Sequence, residues 1–329
     1  MQTHLDPVMT KPRHAPGRPA TDCASASAAD LVADWAPDWA TGRAAGAFRV
    51  GSSDHAADVT AAADCIAAGR TIGFLNRTVC ALFGSSDTRA FPDEVIRVKG
   101  EKRRTKPVAV FLSAEEIARA VDPAKMPQAL VPLMTSPDAL RQVLAGLVLL
   151  RLPLRPDAAA ELPPYLLSRR ADGTPVVMTA DPGGYQPLQD LFGACRARGV
   201  RFLSGTSMNA SGQPEIVDQP EGIAFSRQAG LPMFLADRGH LGWPAGSPTI
   251  LEVRQDDVVL VRDGFIPLWA FEHLLGVPVT LASDTRAARH EQIALDRRTC
   301  AALAPRTLCR HLLHEAWAQR VTGAARAWP

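Results

Sequence analysis

The sequence predicts an α/β protein built on a twisted sheet flanked by helices. Two observations carry that prediction. Segments with apolar residues at helical spacing alternate along the chain with apolar runs too short for helices. The chain has 329 residues, 47% of them hydrophobic and 21% charged, which is ample for a full buried core. Two function classes are disfavoured at once. A formal net charge of +2 is too near zero for bulk capture of nucleic acid. No run approaches the roughly 18 apolar residues of a transmembrane helix.

Residues 1–45 are rich in Pro, Ala and Ser and read as a flexible arm. From Asp58 to Ala68, Val59, Ala62, Ala63 and Ile66 share one helical face, and a strand from Thr71 to Leu75 follows. Pro92 suits the first turn of a helix reaching Val98. Val108–Leu112 reads as a buried strand, and Ser113-Ala114-Glu115-Glu116 as a capping box that starts a helix to about Ala120. Leu147–Leu152 and Val176–Thr179 are further strands, and Pro187–Arg198 is an amphipathic helix closed by Gly199. Ile250–Val253 and Val258–Arg262 form a hairpin about Gln255-Asp256-Asp257. After Phe265 the pattern turns helical, over Leu268–Leu275, Arg286–Leu295 and Leu308–Val321. The division expected is an arm at 1–45, an α/β domain at 46–266 and a helical C-terminal appendage at 267–329.

Three segments carry chemistry. Thr206-Ser207-Met208-Asn209-Ala210-Ser211-Gly212 follows the apolar run Val200-Arg201-Phe202-Leu203. Its hydroxyls, amide and glycine suit either an ordinary polar turn or the cradle of a phosphate or nucleotide. Upstream, five of the eight residues from Lys99 to Lys106 are basic. That loop is either a solvated surface or a polyphosphate clamp made of forked Arg and mobile Lys donors. Gly69–Leu82 reads as a strand running into a turn.

In order and spacing these segments resemble the YrdC-like family, the threonylcarbamoyl-adenylate synthases, over about residues 55–266. That family reads G-x-v-v-a-F-P-T-D-T-V-Y-G-L, then K-G-R-P near K-P-L, T-S-A-N-x-S-G, S-T-V-V-D and R-P-G. Gly69–Leu82, Lys99-Gly100 with Lys106-Pro107-Val108, Thr206–Gly212, Pro248-Thr249-Ile250-Leu251-Glu252 and Val261-Arg262-Asp263-Gly264 stand for these blocks. The T-S-x-N-x-S-G block is the specific one. There are departures. Leu75-Asn76-Arg77-Thr78-Val79-Cys80-Ala81 replaces P-T-D-T-V-Y-G, Glu101 stands where the family has the arginine of K-G-R, and Ala180 falls where it has an arginine in g-v-R-v-P.

The resemblance implies a YrdC-like twisted mixed sheet with a concave basic face. It implies an ATP-dependent enzyme that joins bicarbonate and an amine, L-threonine first among them, into a carbamoyl-adenylate with release of pyrophosphate. ATP and Mg2+ are the expected cofactors. A tRNA or a tRNA-modifying protein is the expected partner downstream. Lys99 and Arg262 would contact phosphates, Arg103 would replace the missing clamp, and Thr206, Ser207 and Asn209 would hold the nucleotide. Thr78, Asn76 and Thr249 would face the amine substrate. The rewritten pocket leaves open a different amine, or a non-catalytic relative that binds RNA or nucleotide. Six cysteines at positions 23, 65, 80, 195, 300 and 309 form no C-x-x-C pair, which points to reduced thiols in a cytoplasm and no zinc site. His311 and His314 lack a matching third ligand, so no protein metal site is expected. The N-terminus lacks the apolar core of a secretory signal.

Overall fold

The computed structural model describes residues 48–76, 79–104, 106–143, 148–236, 246–286, 292–293, 295–309 and 311–312. The expected arm therefore lies outside the described residues. The strands are β1 (Arg49–Ser52), β2 (Ile72–Asn76), β3 (Val79–Ser85), β4 (Ala109–Phe111), β5 (Val148–Pro153), β6 (Leu167–Arg169), β7 (Pro175–Ala180), β8 (Leu203–Ser207), β9 (Met233–Ala236), β10 (Thr249–Val253), β11 (Val258–Arg262) and β12 (Val279–Arg286). They form one mixed sheet in the order β1-β9-β2-β3-β8-β4-β7-β5-β10-β11-β12, with β6 paired to β7. Pairs β1·β9, β2·β9, β4·β7, β5·β10 and β11·β12 are parallel. The rest are antiparallel, including the expected hairpin β10·β11.

The helices are α1 (Ala56–Ala67), α2 (Ala90–Lys99), α3 (Ala114–Ala120), α4 (Val131–Met134), α5 (Pro137–Val143), α6 (Pro156–Glu161), α7 (Gln186–Arg196), α8 (Gln219–Gln228), α9 (Leu268–Leu275) and α10 (Arg297–Ala301). The capping box forms as read. Glu116 N donates to Ser113 Oγ at 3.2 Å and Ser113 N donates back to Glu116 Oε2 at 2.8 Å.

Strand alternation divides the interior in two. Phe74, Phe83 and Phe111 face α1 and α7, while their neighbours Leu75, Leu82 and Val110 face the core under α2, α3 and α9. The Phe83 and Phe111 rings stack at 5.2 Å, and Phe74 meets Phe83 edge-on at 5.2 Å. Each buried aromatic contributes roughly 2–3 kcal/mol through its area alone. The two faces are unequally clothed. Helices α2, α3, α5, α6, α8 and α9 supply residues to the larger core, whereas α1 and α7 serve the other face. Beyond α7 that second face is open over β7, β5 and β10, and it becomes the floor of a cavity.

Two expectations are corrected. Gly69–Leu82 is not one strand entering a turn but the hairpin β2–β3, with β3 buried along its whole length. Nor is the region after residue 266 purely helical, because Val279–Arg286 extends the sheet as β12, parallel to β11. Pro278 stops the chain after α9, and the Val279-Thr280-Leu281 run that follows is made of strand formers. Of the helices expected there, Leu268–Leu275 forms as α9. Those over Arg286–Leu295 and Leu308–Val321 fall largely outside the described residues.

Candidate functional site

The open half of the sheet floors a cavity of about 520 Å³. Its floor consists of alternate strand residues: Ala81 and Phe83 on β3, Gly205 on β8, Ala109 and Phe111 on β4, Ala180 and Met178 on β7, Leu149 and Arg151 on β5, and Ile250 on β10. Its lining is cationic, with Lys99, Arg103, Lys106 and Arg262, and Lys99 and Arg103 reach residues at the end of β8. The loop that follows α2 and the loop that follows β8 are about a hundred residues apart in sequence. They meet because β3 pairs β8 and β8 pairs β4.

Lys99 ends α2 and is only 7% exposed. Its Nζ donates to the Ser207 carbonyl and, at 2.7 Å, to Asn209 Oδ1. Ser211 N donates in return to the Lys99 carbonyl at 3.1 Å. Burial lowers the Lys99 pKa to about 7, aided by the charges of Arg103, Arg262 and Lys106 and opposed by Glu215. The turn itself is internally braced. Ser207 Oγ donates to Asn209 Oδ1 at 2.8 Å, and Asn209 Nδ2 donates to the Gln213 carbonyl at 2.7 Å. Arg103 Nη2 donates to Thr206 Oγ1 at 3.2 Å and to the Pro107 carbonyl at 3.0 Å. Arg262 Nη2 donates to the Pro248 carbonyl at 2.8 Å. Hydroxyls, three amides and five cations thus line one volume. Anions with several oxygens fit such a donor set.

Lys99, Arg103, Thr206, Ser207, Asn209, Arg262 and Asn76 all line this one cavity. Thr78 lies outside the described residues. Thr249 does not belong to the lining, and its expected role toward a substrate is corrected. It is buried at 1% exposure on the side of β10 that carries Leu251 and Val253, while Ser247, Pro248 and Ile250 face the cavity. The motif placed it near the site, but the pleat turns it away.

Several lining residues were not anticipated from sequence. Arg151 interrupts the apolar strand Val148-Leu149-Leu150-Arg151-Leu152, and that interruption was the available signal. Asp181 and Gly183 follow β7, where Gly183 N donates to Asp181 Oδ1 at 3.0 Å. Tyr185 OH donates to the Leu75 carbonyl at 3.1 Å and so ties the base of α7 to β2. Asp263, beside Arg262, receives Gly264 N at 3.0 Å and Gln292 Nε2 at 2.9 Å, and burial raises its carboxyl pKa. Glu101 takes no part in the lining. It pairs with Arg104 at 2.8 Å on the exposed surface. Among the described residues no group of three or more His, Cys, Asp or Glu could hold a metal ion. A magnesium ion carried by a triphosphate does not need one, because it keeps phosphate and water ligands. Among the same residues no helix is long and apolar enough to cross a membrane.

No protein-family model and no curated protein matches the sequence. Solved structures do match in shape. A doubly substituted variant of P. abyssi Sua5 superposes with a TM-score of 0.55 at 15% identity, covering 72% of this chain. P. abyssi Sua5 complexed with L-threonine does so with a TM-score of 0.55 at 16% identity and the same coverage. The match spans 66% and 63% of those two chains. E. coli YciO matches at a TM-score of 0.48 and 15% identity, over 66% of this chain and 94% of its own. The fold is the Sua5/YrdC-like α/β fold, a large twisted mixed sheet flanked by helices.

Proposed function

We propose that this chain is a divergent member of the YrdC-like family that binds ATP with magnesium in the cavity. In this reading the amine condenses with bicarbonate to a carbamate with loss of water, and a carbamate oxygen then displaces pyrophosphate from the nucleotide's α-phosphate, forming a carbamoyl-adenylate. L-Threonine is the first amine to test, since a threonine complex exists for the similar Sua5. The observation that carries the reading is the bridge from Lys99 Nζ to Ser207 O and Asn209 Oδ1, which closes the cationic loop onto the hydroxyl-rich turn. Arg103 supports it by reaching Thr206 from the loop where Glu101 leaves the expected cation missing.

The chemistry asks mainly for positioning and charge. Lys99, Arg103 and Arg262 neutralise the polyanion while Ser207 and Asn209 orient it, so no nucleophilic side chain is required. A carbamoyl-adenylate would then pass to a tRNA-modifying partner. Pyrophosphate release from ATP and bicarbonate, measured across a panel of amino acids, tests the reading. Asn209→Ala is expected to abolish release, and unchanged turnover in that variant rejects the site. A second reading is a non-catalytic relative that binds nucleotide or RNA. The outward-turned Glu101 and the small Ala180 on the cavity floor favour it. Silence with every amino acid, with nucleotide or tRNA binding intact, selects it.

A further inference from the structure

Lys99 has a chemistry of its own before nucleotide binds, and this inference rests on the reading above. The side chain lines the cavity yet is only 7% exposed. Its Nζ donates to the Ser207 carbonyl at the end of β8 and to Asn209 Oδ1 in the turn that follows. A lysine nitrogen is tetrahedral. The bond to Cε and the two donated hydrogen bonds take three corners. Among the described residues nothing accepts a hydrogen bond from the fourth. That corner carries a third proton in the ammonium and a lone pair in the amine. The surroundings favour the amine. Burial acts most strongly, and Arg103 and Lys106 on the loop after α2 and Arg262 on β11 repel the ammonium, while Glu215 opposes them. The pKa falls to about 7, so at pH 8 the amine is the main form. The same three cations stabilise an anion formed at Nζ. The position disfavours a positive charge and accepts a negative one.

An uncharged amine with its lone pair available and cations around it suits a small electrophile that converts it into an anion. Carbon dioxide meets those terms. It is small enough to reach a buried nitrogen, it is uncharged, and it equilibrates with the bicarbonate that the proposed reaction consumes. The Nζ lone pair attacks the carbon, an N–C bond forms, and one C–O π pair moves onto oxygen. Nζ then loses a proton to solvent. The product is a carbamate, and the step needs no oxidant or reductant. We propose that carbon dioxide reversibly carboxylates Lys99 in the nucleotide-free protein, and that the modified side chain bars the nucleotide. Carboxylation replaces a cation by an anion where phosphate is to be held, so attraction becomes repulsion. MgATP and carbon dioxide therefore compete for one nitrogen, and nucleotide occupancy falls as carbon dioxide rises.

The test equilibrates the full chain with isotope-labelled bicarbonate at a fixed level of dissolved carbon dioxide. A trialkyloxonium salt then esterifies any carbamate, and peptide mass analysis locates the label. At pH 8 without nucleotide the labelled ester is expected on Lys99, in excess over the exposed Lys102. It should fall more than about tenfold at pH 6, where the amine is scarce, and it should vanish with saturating MgATP. Calorimetric titration at pH 8 compares carbon dioxide with chloride at equal ionic strength. MgATP affinity is expected to be about tenfold weaker in carbon dioxide, the factor set by a competent fraction of about one in ten. Lys99→Arg, whose guanidinium stays protonated, is expected to bind MgATP with no dependence on carbon dioxide. An unmodified Lys99 overturns the proposal, and that is the result if bicarbonate is merely held in the cavity without a covalent bond. Equal labelling of Lys99 and Lys102 also overturns it, as does labelling of Lys99 that bound MgATP fails to suppress. A carbon dioxide effect that persists in Lys99→Arg does the same. Absence of MgATP binding in chloride sinks the adenylate-forming reading instead, and the ester on Lys99 still decides the carboxylation in that case.

Discussion

Lys99→Met is expected to make the empty protein more stable while it weakens nucleotide binding. Lys99 is 7% exposed, and burial is the main reason that its pKa falls from 10.5 to about 7. A shift of that size corresponds to a penalty of roughly 5 kcal/mol on the ammonium at pH 6, from burial first and then from repulsion by Arg103, Arg262 and Lys106. Methionine removes the cost and fills a similar volume, but it forfeits the contacts to the Ser207 carbonyl and Asn209 Oδ1. Those are worth about 1.5–3 kcal/mol together, since Ser207 Oγ still serves Asn209 Oδ1. The variant should therefore gain about 2–3.5 kcal/mol at pH 6, seen as a Tm several degrees higher. The pH dependence follows from the direction of the shift. The folded-state value lies below the unfolded one, so between pH 7 and pH 10.5 the unfolded chain holds more protons, and stability rises with pH across that window. At pH 8 the unaltered protein recovers about 1.4 kcal/mol, and the gap to Lys99→Met narrows by that amount. MgATP affinity, measured by titration calorimetry, should drop about 100-fold in the variant, and in the unaltered chain at pH 8 binding should take up a proton as the phosphates restore the ammonium. Thermal denaturation at pH 6 and pH 8 is the assay. A variant less stable than the parent at pH 6, or a gap independent of pH, refutes the reasoning.

Two contrasts extend this. Arg103→Ala should weaken MgATP binding about tenfold to a hundredfold, because it removes the guanidinium on Thr206. Glu101→Ala should leave binding within twofold, since that side chain pairs with Arg104 at the surface. Equal effects in a titration would show that the loop is misassigned. Gly264→Ala tests close packing behind the rim, where a Cβ would overlap the Thr249 backbone nitrogen. A loss of about 1–3 kcal/mol in denaturant unfolding is expected, and an unchanged midpoint would mean that the strand end yields freely.

The parts of the site that could be read in the sequence were those where several chemical groups sit consecutively. Thr206–Gly212 and the Lys99–Lys106 loop each concentrate polar donors, and the fold brings them together across β3, β8 and β4. Arg151 offers one signal only, its interruption of an apolar strand, and its ion-pair partner Glu252 comes from a strand about a hundred residues later. Thr249 was misplaced for a related reason. A motif gives a position along the chain, whereas the face a strand residue occupies depends on its pairing register. β12 was missed because an alanine- and arginine-rich region suggests helix, and only the exposed edge of β11 gives Val279-Thr280-Leu281 a partner.

The division of each strand into a supporting residue and a lining residue has an evolutionary corollary. In β5, Val148, Leu150 and Leu152 answer to the larger core, and the alternate residues Leu149 and Arg151 answer to whatever occupies the cavity. The two sets can drift under separate selection. A new specificity can be written onto the lining positions one by one while the scaffold stays superposable, and so a shape can outlast nearly all of the letters that once encoded it.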